Sequence, residues 1–117
     1  MTACSRGDVV LVRFPNSNLK TYKKRPALVV QANALNTGLS QKIIVLITSN
    51  FNRKGPTRVP VLKNSSLGQR MGLLNDSVIV ADNIATVLER EIDSVIGSCA
   101  GTDMNIIDNA LRITLCL

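Results

Sequence analysis

Over the first hundred residues the apolar side chains fall in short, dense runs rich in Val and Ile, and only the last stretch switches to helical spacing. The runs at 9–14, 27–31 and 43–48 have strand length rather than helix length and are bounded by turn-formers. Between the first two, residues 15–25 hold Asn, Ser, Lys and Tyr with almost no apolar content, which predicts an exposed basic loop. Residues 32–40 leave room for a helical turn before Gly38. A second basic loop is predicted over 49–57, where Arg53-Lys54-Gly55-Pro56 stands. Residues 58–62 read as a short edge strand, because Pro60 has no N–H to give a ladder. Residues 63–74, with Gly68 and Gly72, read as a loop. Strands are predicted at 77–83 and 92–97, with a turn or short helix around 88–91 between them.

In the tail, Met104, Ile107, Leu111 and Leu115 recur at steps of three, four and four, which sets them on one helical face. Ile106, Ala110 and Ile113 widen that stripe, so the helix is expected to be covered on more than one side. Thr102 or Asp103 is expected to cap its start by accepting a backbone hydrogen bond. The pattern adds up to a mainly β (α+β) chain. It has five to six short strands and one C-terminal helix, a single domain over 1–117 folded as a small, strongly curved β-barrel.

Composition sharpens this picture in two ways. The chain has no Trp, one Tyr (Tyr22) and two Phe (Phe14, Phe51), so its core must be packed by Ile, Leu and Val. Apolar runs such as 43–47 are far too short to span a bilayer. Gly7-Asp8 precedes the first of them, so no secretory segment is expected either. Cys4, Cys99 and Cys116 are odd in number and widely separated, and the chain has no His, which argues against a structural zinc site and a disulfide framework. Incidental thiols in a reducing cytoplasm fit better.

Charge adds the third constraint. The net charge is +6, but residues 1–70 hold twelve basic side chains and one acid, Asp8, while 71–117 hold two basic and seven acidic. Such segregation points to an anionic partner for one end of the chain, nucleic acid in particular.

Two side chains at loop–strand junctions are candidates for chemistry. Pro26 pushes Arg25 toward extended geometry at the end of the first basic loop, and Thr48 closes an otherwise apolar strand. Taken singly, Arg25 reads as a solvated loop charge and Thr48 as an ordinary β-former. If the two strand ends lie side by side, they present a guanidinium and a hydroxyl to one groove. Lys20, Tyr22, Lys23 and Lys24 on the first loop, and Ser49, Asn50, Arg53 and Lys54 on the second, are placed to contact the phosphates of a nucleic acid, with Tyr22 able to stack on a base.

The sequence also excludes mechanisms. Without His, a two-histidine ribonuclease is impossible, and with Asp8 the sole acid among the first 75 residues a multi-carboxylate metal nuclease is disfavoured. Were the anionic partner RNA and the chain to cleave it, the route left is attack by the substrate's own 2′-OH on the adjacent phosphate, giving a 2′,3′-cyclic phosphate and a 5′-OH.

Four segments, in order, resemble the MazF/PemK toxins of type II toxin–antitoxin systems. They are Gly7-Asp8-Val9-Val10-Leu11-Val12-Arg13-Phe14-Pro15, Lys23-Lys24-Arg25-Pro26-Ala27-Leu28-Val29-Val30, Ile47-Thr48-Ser49, and Asp76-Ser77-Val78-Ile79-Val80-Ala81-Asp82-Asn83-Ile84. A closing helix ending Ala110-Leu111-Arg112-Ile113-Thr114-Leu115 completes the likeness. The resemblance implies an SH3-like barrel and a metal-independent, cofactor-free, sequence-specific endoribonuclease acting on single-stranded RNA in the bacterial cytoplasm. It further implies a homodimer with an acidic antitoxin as second partner. The family's catalytic Arg and its partnering Thr fall on Arg25 and Thr48, and Asp82 matches an acid carried by its members. Where relatives often have an Arg soon after that acid, this chain has Ala85. Two other readings stay open here. One is a gyrase-poisoning toxin of the same fold, which needs a C-terminal Trp-Gly-Ile that Thr114-Leu115-Cys116-Leu117 does not supply. The other is a non-catalytic RNA-binding barrel.

Overall fold

A computed structural model describes residues 3–15, 18, 20–52 and 54–117. Six strands run β1 (Asp8–Pro15), β2 (Tyr22–Val29), β3 (Gln41–Thr48), β4 (Arg58–Val61), β5 (Ser77–Leu88) and β6 (Ile92–Ser98). A short helix α1 (Ser66–Arg70) lies between β4 and β5, and α2 (Asp103–Leu115) closes the chain. The strands form one antiparallel sheet in the order β4-β5-β3-β2-β1-β6. The fold is thus mainly β with a C-terminal helix, as the sequence predicts, and the sheet is curved rather than sealed by a continuous ladder.

Curvature comes from irregular pairing. Register shifts fall between Val9 and Val10 and between Leu11 and Val12 where β1 meets β6, and between Val45 and Leu46 where β3 meets β5. Extra residues of this kind bend a strand and increase its twist. The rolled sheet then brings the segment after α1 against β6 by close backbone approach. A Cβ at Gly72 would lie 2.2 Å from the Ile96 carbonyl oxygen, and one at Gly97 would lie 2.3 Å from the Met71 carbonyl carbon. Gly72 also has φ +71°, a left-handed conformation that favours glycine.

Strand alternation puts an aliphatic core on each face of the sheet. One face carries Val9, Leu28, Val45, Ile47 and Ile79 and is covered by Met71, Met104 and Ile107. The other carries Val10, Val12, Ala27, Val29, Ile44, Val87 and Ile92, with Phe14 and Leu46 packed at its margin. Each fully buried Val, Leu or Ile contributes roughly 1.5–3 kcal/mol to burial. No aromatic ring belongs to either buried cluster, in line with the composition.

Several elements differ from the sequence pattern. β2 begins at Tyr22, so Lys23, Lys24 and Arg25 lie in a strand and not in a loop. β5 runs on to Leu88, well past residue 83, because the first half of β3 pairs with it from Gln41↔Leu88 to Val45↔Ile84. Residues 32–40 form turns and bends, with no helix. Within 63–74, Ser65 caps α1, its Oγ accepting from the Gly68 N–H at 3.0 Å. By contrast Thr102 makes no side-chain cap bond to α2, and Asp103 accepts from Arg70 instead. On α2, Met104, Ile107 and Ala110 are buried, but Ile106, Ile113 and Leu115 are more than half exposed. The chain alone therefore covers one side of that helix. Among the described residues, no helix is long and apolar enough to cross a membrane.

Candidate active site

β2 and β3 are held by Ala27↔Leu46, Leu28↔Val45 and Val29↔Ile44. Continuing this antiparallel register by two residues sets Arg25 opposite Thr48. Thr48 does close β3, whereas Arg25 lies inside β2 and not at a strand end, and the β2–β3 ladder itself stops at Ala27↔Leu46. Both line a cleft of about 390 Å³. Its sheet wall is Leu11, Pro26 and Ile47, its facing wall is Gly72, Leu73, Leu74 and Asn75 with Ile96, and Lys23, Lys24 and Ser49 share the rim. The facing wall stands where it does because Gly72 and Gly97 allow the close approach described above. Ser77, buried at the cleft's edge, donates its hydroxyl to the Asn75 carbonyl at 2.8 Å and fixes that turn.

Each half of the pair has a defined setting. Thr48 Oγ1 accepts from the Asn50 N–H at 3.1 Å, which orients the hydroxyl and leaves its proton to be donated outward. Arg25 is exposed and opposite Val12 on β1. Arg6, Arg13, Arg58 and Arg70 each hold a carboxylate, whereas among the described residues none pairs with Arg25. An uncommitted guanidinium next to an oriented hydroxyl suits an oxyanion with two or more acceptor oxygens, such as a phosphate.

The remaining candidates scatter around this pair. Asn50 serves the Thr48 turn through its backbone and accepts from the Asn52 N–H. Lys20 follows a turn organised by Asn18, whose Oδ1 accepts from the Lys20 and Thr21 N–H groups. Tyr22, two-thirds exposed, opens β2 opposite Pro15. Lys54 is exposed and offers its carbonyl to Arg58, while Arg53 lies outside the described residues. Asp82 does not line the cleft. It sits in the irregular stretch of β5 and forms an ion pair with Arg58 at 2.9 Å. Lys24, at the rim, pairs with Asp93 at 3.2 Å.

The structure adds residues that the sequence pattern hides. Arg13 stands directly across from Lys24 and shares Asp93 at 3.1 Å. These hydrogen bonds, Arg13's first and Lys24's next, hold the Asp93 carboxyl below the ordinary carboxylate range. Arg13 is the one charge in the apolar run 9–14, and nothing in the sequence says that β6 would bring Asp93 beside it. The wall formed by Leu73, Leu74 and Asn75 is equally silent, because only the rolled sheet carries it across the cleft.

Residues 5–115 match the family of PemK-like, MazF-like toxins of type II toxin–antitoxin systems. The chain belongs to that family. Solved structures agree with this membership. An endoribonuclease in complex with its cognate antitoxin, from a mycobacterial species, is 28% identical with a TM-score of 0.74, the match covering 98% of this chain and 97% of that one. An endoribonuclease from a mycobacterial species is 29% identical with a TM-score of 0.73, covering 100% and 95%. The MazE–MazF complex (Form-III) from Deinococcus radiodurans, at 20% identity, shares the fold with a TM-score of 0.73 over 99% of both chains. The resemblance carried by the four segments is thus borne out for this toxin along almost its entire length.

Proposed function

We propose that this toxin is an endoribonuclease that cleaves single-stranded RNA at the Arg25–Thr48 cleft, by attack of the substrate's 2′-OH and without a metal. The observation that carries this reading is the meeting in one cleft of Arg25, which holds no carboxylate among the described residues, and the oriented Thr48 hydroxyl. Attack of the 2′-oxygen on phosphorus forms the cyclic phosphate and expels the 5′-oxygen, which leaves as a 5′-OH once protonated. Arg25 stabilises the charge that develops on the phosphorane and on the leaving oxygen, and Thr48 donates to a non-bridging oxygen. A guanidinium offers only donors, so Arg25 serves as a donor and not as the base. Asp82 is committed to Arg58, so a water or a group of the substrate takes the 2′ proton in this reading. Lys20, Tyr22, Lys23 and Lys24, with Ser49, Asn50, Arg53 and Lys54, hold the RNA on either side, and a single strand leaves its bases open to be read in sequence.

The unit that performs this is the whole of 1–117, acting as one toxin domain in the bacterial cytoplasm. Three free thiols accord with that reducing setting. Its partners are a second copy of the chain and an acidic antitoxin. The mycobacterial relative held by its cognate antitoxin supports the latter, and the exposed Ile106, Ile113 and Leu115 of α2 support the former.

The test is incubation of the purified protein with labelled RNA in EDTA. Cleavage to 2′,3′-cyclic phosphate and 5′-OH ends is the expected result. No cleavage, or cleavage that EDTA abolishes, would overturn the reading. The same assay separates it from gyrase poisoning and from RNA binding without chemistry.

A further inference from the structure

Arg13 on β1 and Lys24 on β2 are direct cross-strand partners, two cations facing each other on an exposed surface. Like charges placed this way repel and destabilise a sheet unless something lies between them. What lies between them is one atom. Asp93 Oδ1 receives Arg13 Nη2 at 3.1 Å and Lys24 Nζ at 3.2 Å, while its Oδ2 accepts from the Ser94 hydroxyl at 3.3 Å. A single anionic oxygen held by a guanidinium and an ammonium from adjacent strands is the arrangement these groups would also give a phosphate oxygen. Lys24 lines the same cleft as Arg25 and Thr48.

We infer that Asp93 is a built-in competitor for RNA phosphate, occupying through its carboxylate the position between Arg13 and Lys24 that a backbone phosphate of the substrate takes. The inference rests on the proposal that RNA is engaged in this cleft. RNA arriving there must either displace Asp93 from both cations or bind beside an uncompensated carboxylate. Both routes weaken the sequence-independent part of binding, which phosphate contacts supply, and leave base contacts a larger share of the discrimination. Arg25, with no such carboxylate among the described residues, stays open for the scissile phosphate. Asp93 is thus a specificity-determining residue that touches the RNA-binding cations and not the reacting atoms.

The probe is a short, fluorescently labelled 2′-O-methyl oligoribonucleotide, which this chemistry cannot cleave, titrated with the full chain over a range of salt. Asp93→Asn should bind it about tenfold more tightly near 0.1 M salt, with a steeper salt dependence, since each freed contact adds about 0.7 to the slope on a single strand. Asp93→Ala should do the same. Asp108→Asn serves as the control, because it removes an equal charge from the pair with Arg6 near the other end of β2, and it should leave the slope unchanged. In a background carrying Arg13→Ala and Lys24→Ala the gain from Asp93→Asn should vanish, since the two cations are its route. Against cleavable RNA, Asp93→Asn should lower KM and leave kcat alone. An Asp93→Asn protein that binds the probe no better than wild type, or a gain that survives the double-alanine background, overturns the inference. If Arg25→Ala abolishes cleavage while Asp93→Asn binds like wild type, the competitor alone is wrong. If wild type binds no RNA at all, the proposed function fails and the competitor with it.

Discussion

Arg25 and Thr48 come from separate strands, yet both line one cleft, each two residues beyond the last β2–β3 ladder pair, Ala27↔Leu46. Arg25 is paired on its other side with Val12 and Thr48 with Val78, so the sheet fixes both backbones while the side chains are left to the cleft. Substituting either should therefore leave the fold intact. Arg25→Ala and Thr48→Ala should each lose roughly a hundredfold or more in cleavage, as expected when one donor to a developing oxyanion is removed. Arg25→Lys should recover little, since an ammonium lacks the planar fork. Single-turnover assays in EDTA, with circular dichroism alongside, decide it. A folded Arg25→Ala protein that cleaves at the wild-type rate would remove this residue from the mechanism.

Electrostatics gives a second expectation. In the proposed function, the basic excess over residues 1–70 meets RNA through rim and loop cations. With six to eight phosphate contacts, log K should fall against log salt with a slope of roughly −4 to −6 on single strands. Fluorescence anisotropy at several salt concentrations measures it directly, and a slope near zero would exclude the basic segments from RNA binding.

Much of this was legible in the sequence because it is written in periodicity. The apolar cores of β1, β2, β3, β5 and β6 and the buried stripe of α2 follow from runs of Val, Ile and Leu and from the three–four spacing of Met104, Ile107 and Leu111. What escaped was structure that polar residues adopt because a neighbour supplies pairing. Tyr22–Arg25 has no apolar alternation, and it becomes strand only because β1 lies opposite it from Phe14↔Lys23 to Val12↔Arg25. The end of β5, residues 84–88, is apolar and lies beyond the strand expected at 77–83; β3 pairs with it as far as Gln41↔Leu88. In the site, Thr48 was legible as the residue closing β3, while Arg25, expected at a loop–strand junction, lies inside β2 and was singled out by the family resemblance. The contact of Asp93 with Lys24 and the Leu73–Asn75 wall were not, since long-range topology alone brings them there.

α2 leaves Ile106, Ile113 and Leu115 exposed after Met104, Ile107 and Ala110 are buried. A second copy of the chain is the expected cover for that apolar surface, through an isologous interface. Sedimentation at micromolar concentration should show a dimer. Ile113→Glu should shift the protein toward monomer without unfolding it, because that side chain is 56% exposed in the single chain. A wild-type monomer at that concentration would refute the proposed dimer.

The three thiols should differ sharply in reactivity. Burial pushes Cys99 up to about 11, with Asp103 adding to the shift, and burial also raises Cys4. Cys116 is exposed. The thiolate is the reactive form, so native protein near pH 8 should be alkylated first at Cys116 and at Cys99 only after unfolding. The linkage follows from the direction of the shift. The unfolded thiol ionises near 9.0 while the folded one still holds its proton, so unfolding releases protons in that range and stability falls as pH rises from about 9 toward 11. Mass spectrometry after timed alkylation, with melts across that pH range, checks both. Rapid native labelling of Cys99 would contradict its buried placement.

The last prediction tests what holds the facing wall of the cleft in place. At Gly97 an added Cβ would meet the Met71 carbonyl carbon at 2.3 Å and the Arg70 oxygen at 2.4 Å, and backbone on both sides leaves neither free to swing away. Gly97→Ala must therefore push the segment after α1 off β6, at about 1–3 kcal/mol for overpacking of this kind. Gly72→Ala meets a similar obstruction at the Ile96 oxygen and adds the penalty of a left-handed φ, about 1–2 kcal/mol. Gly101, also left-handed but with nothing near its added Cβ, isolates the backbone component, so Gly101→Ala should lose less stability than Gly72→Ala. Thermal denaturation should rank the three accordingly. Because Gly72 begins the Gly72–Asn75 wall, cleavage by the surviving folded fraction of Gly97→Ala should also fall, while Gly101→Ala stays active. A Gly97→Ala protein with wild-type melting and cleavage would mean that this backbone contact does not shape the cleft.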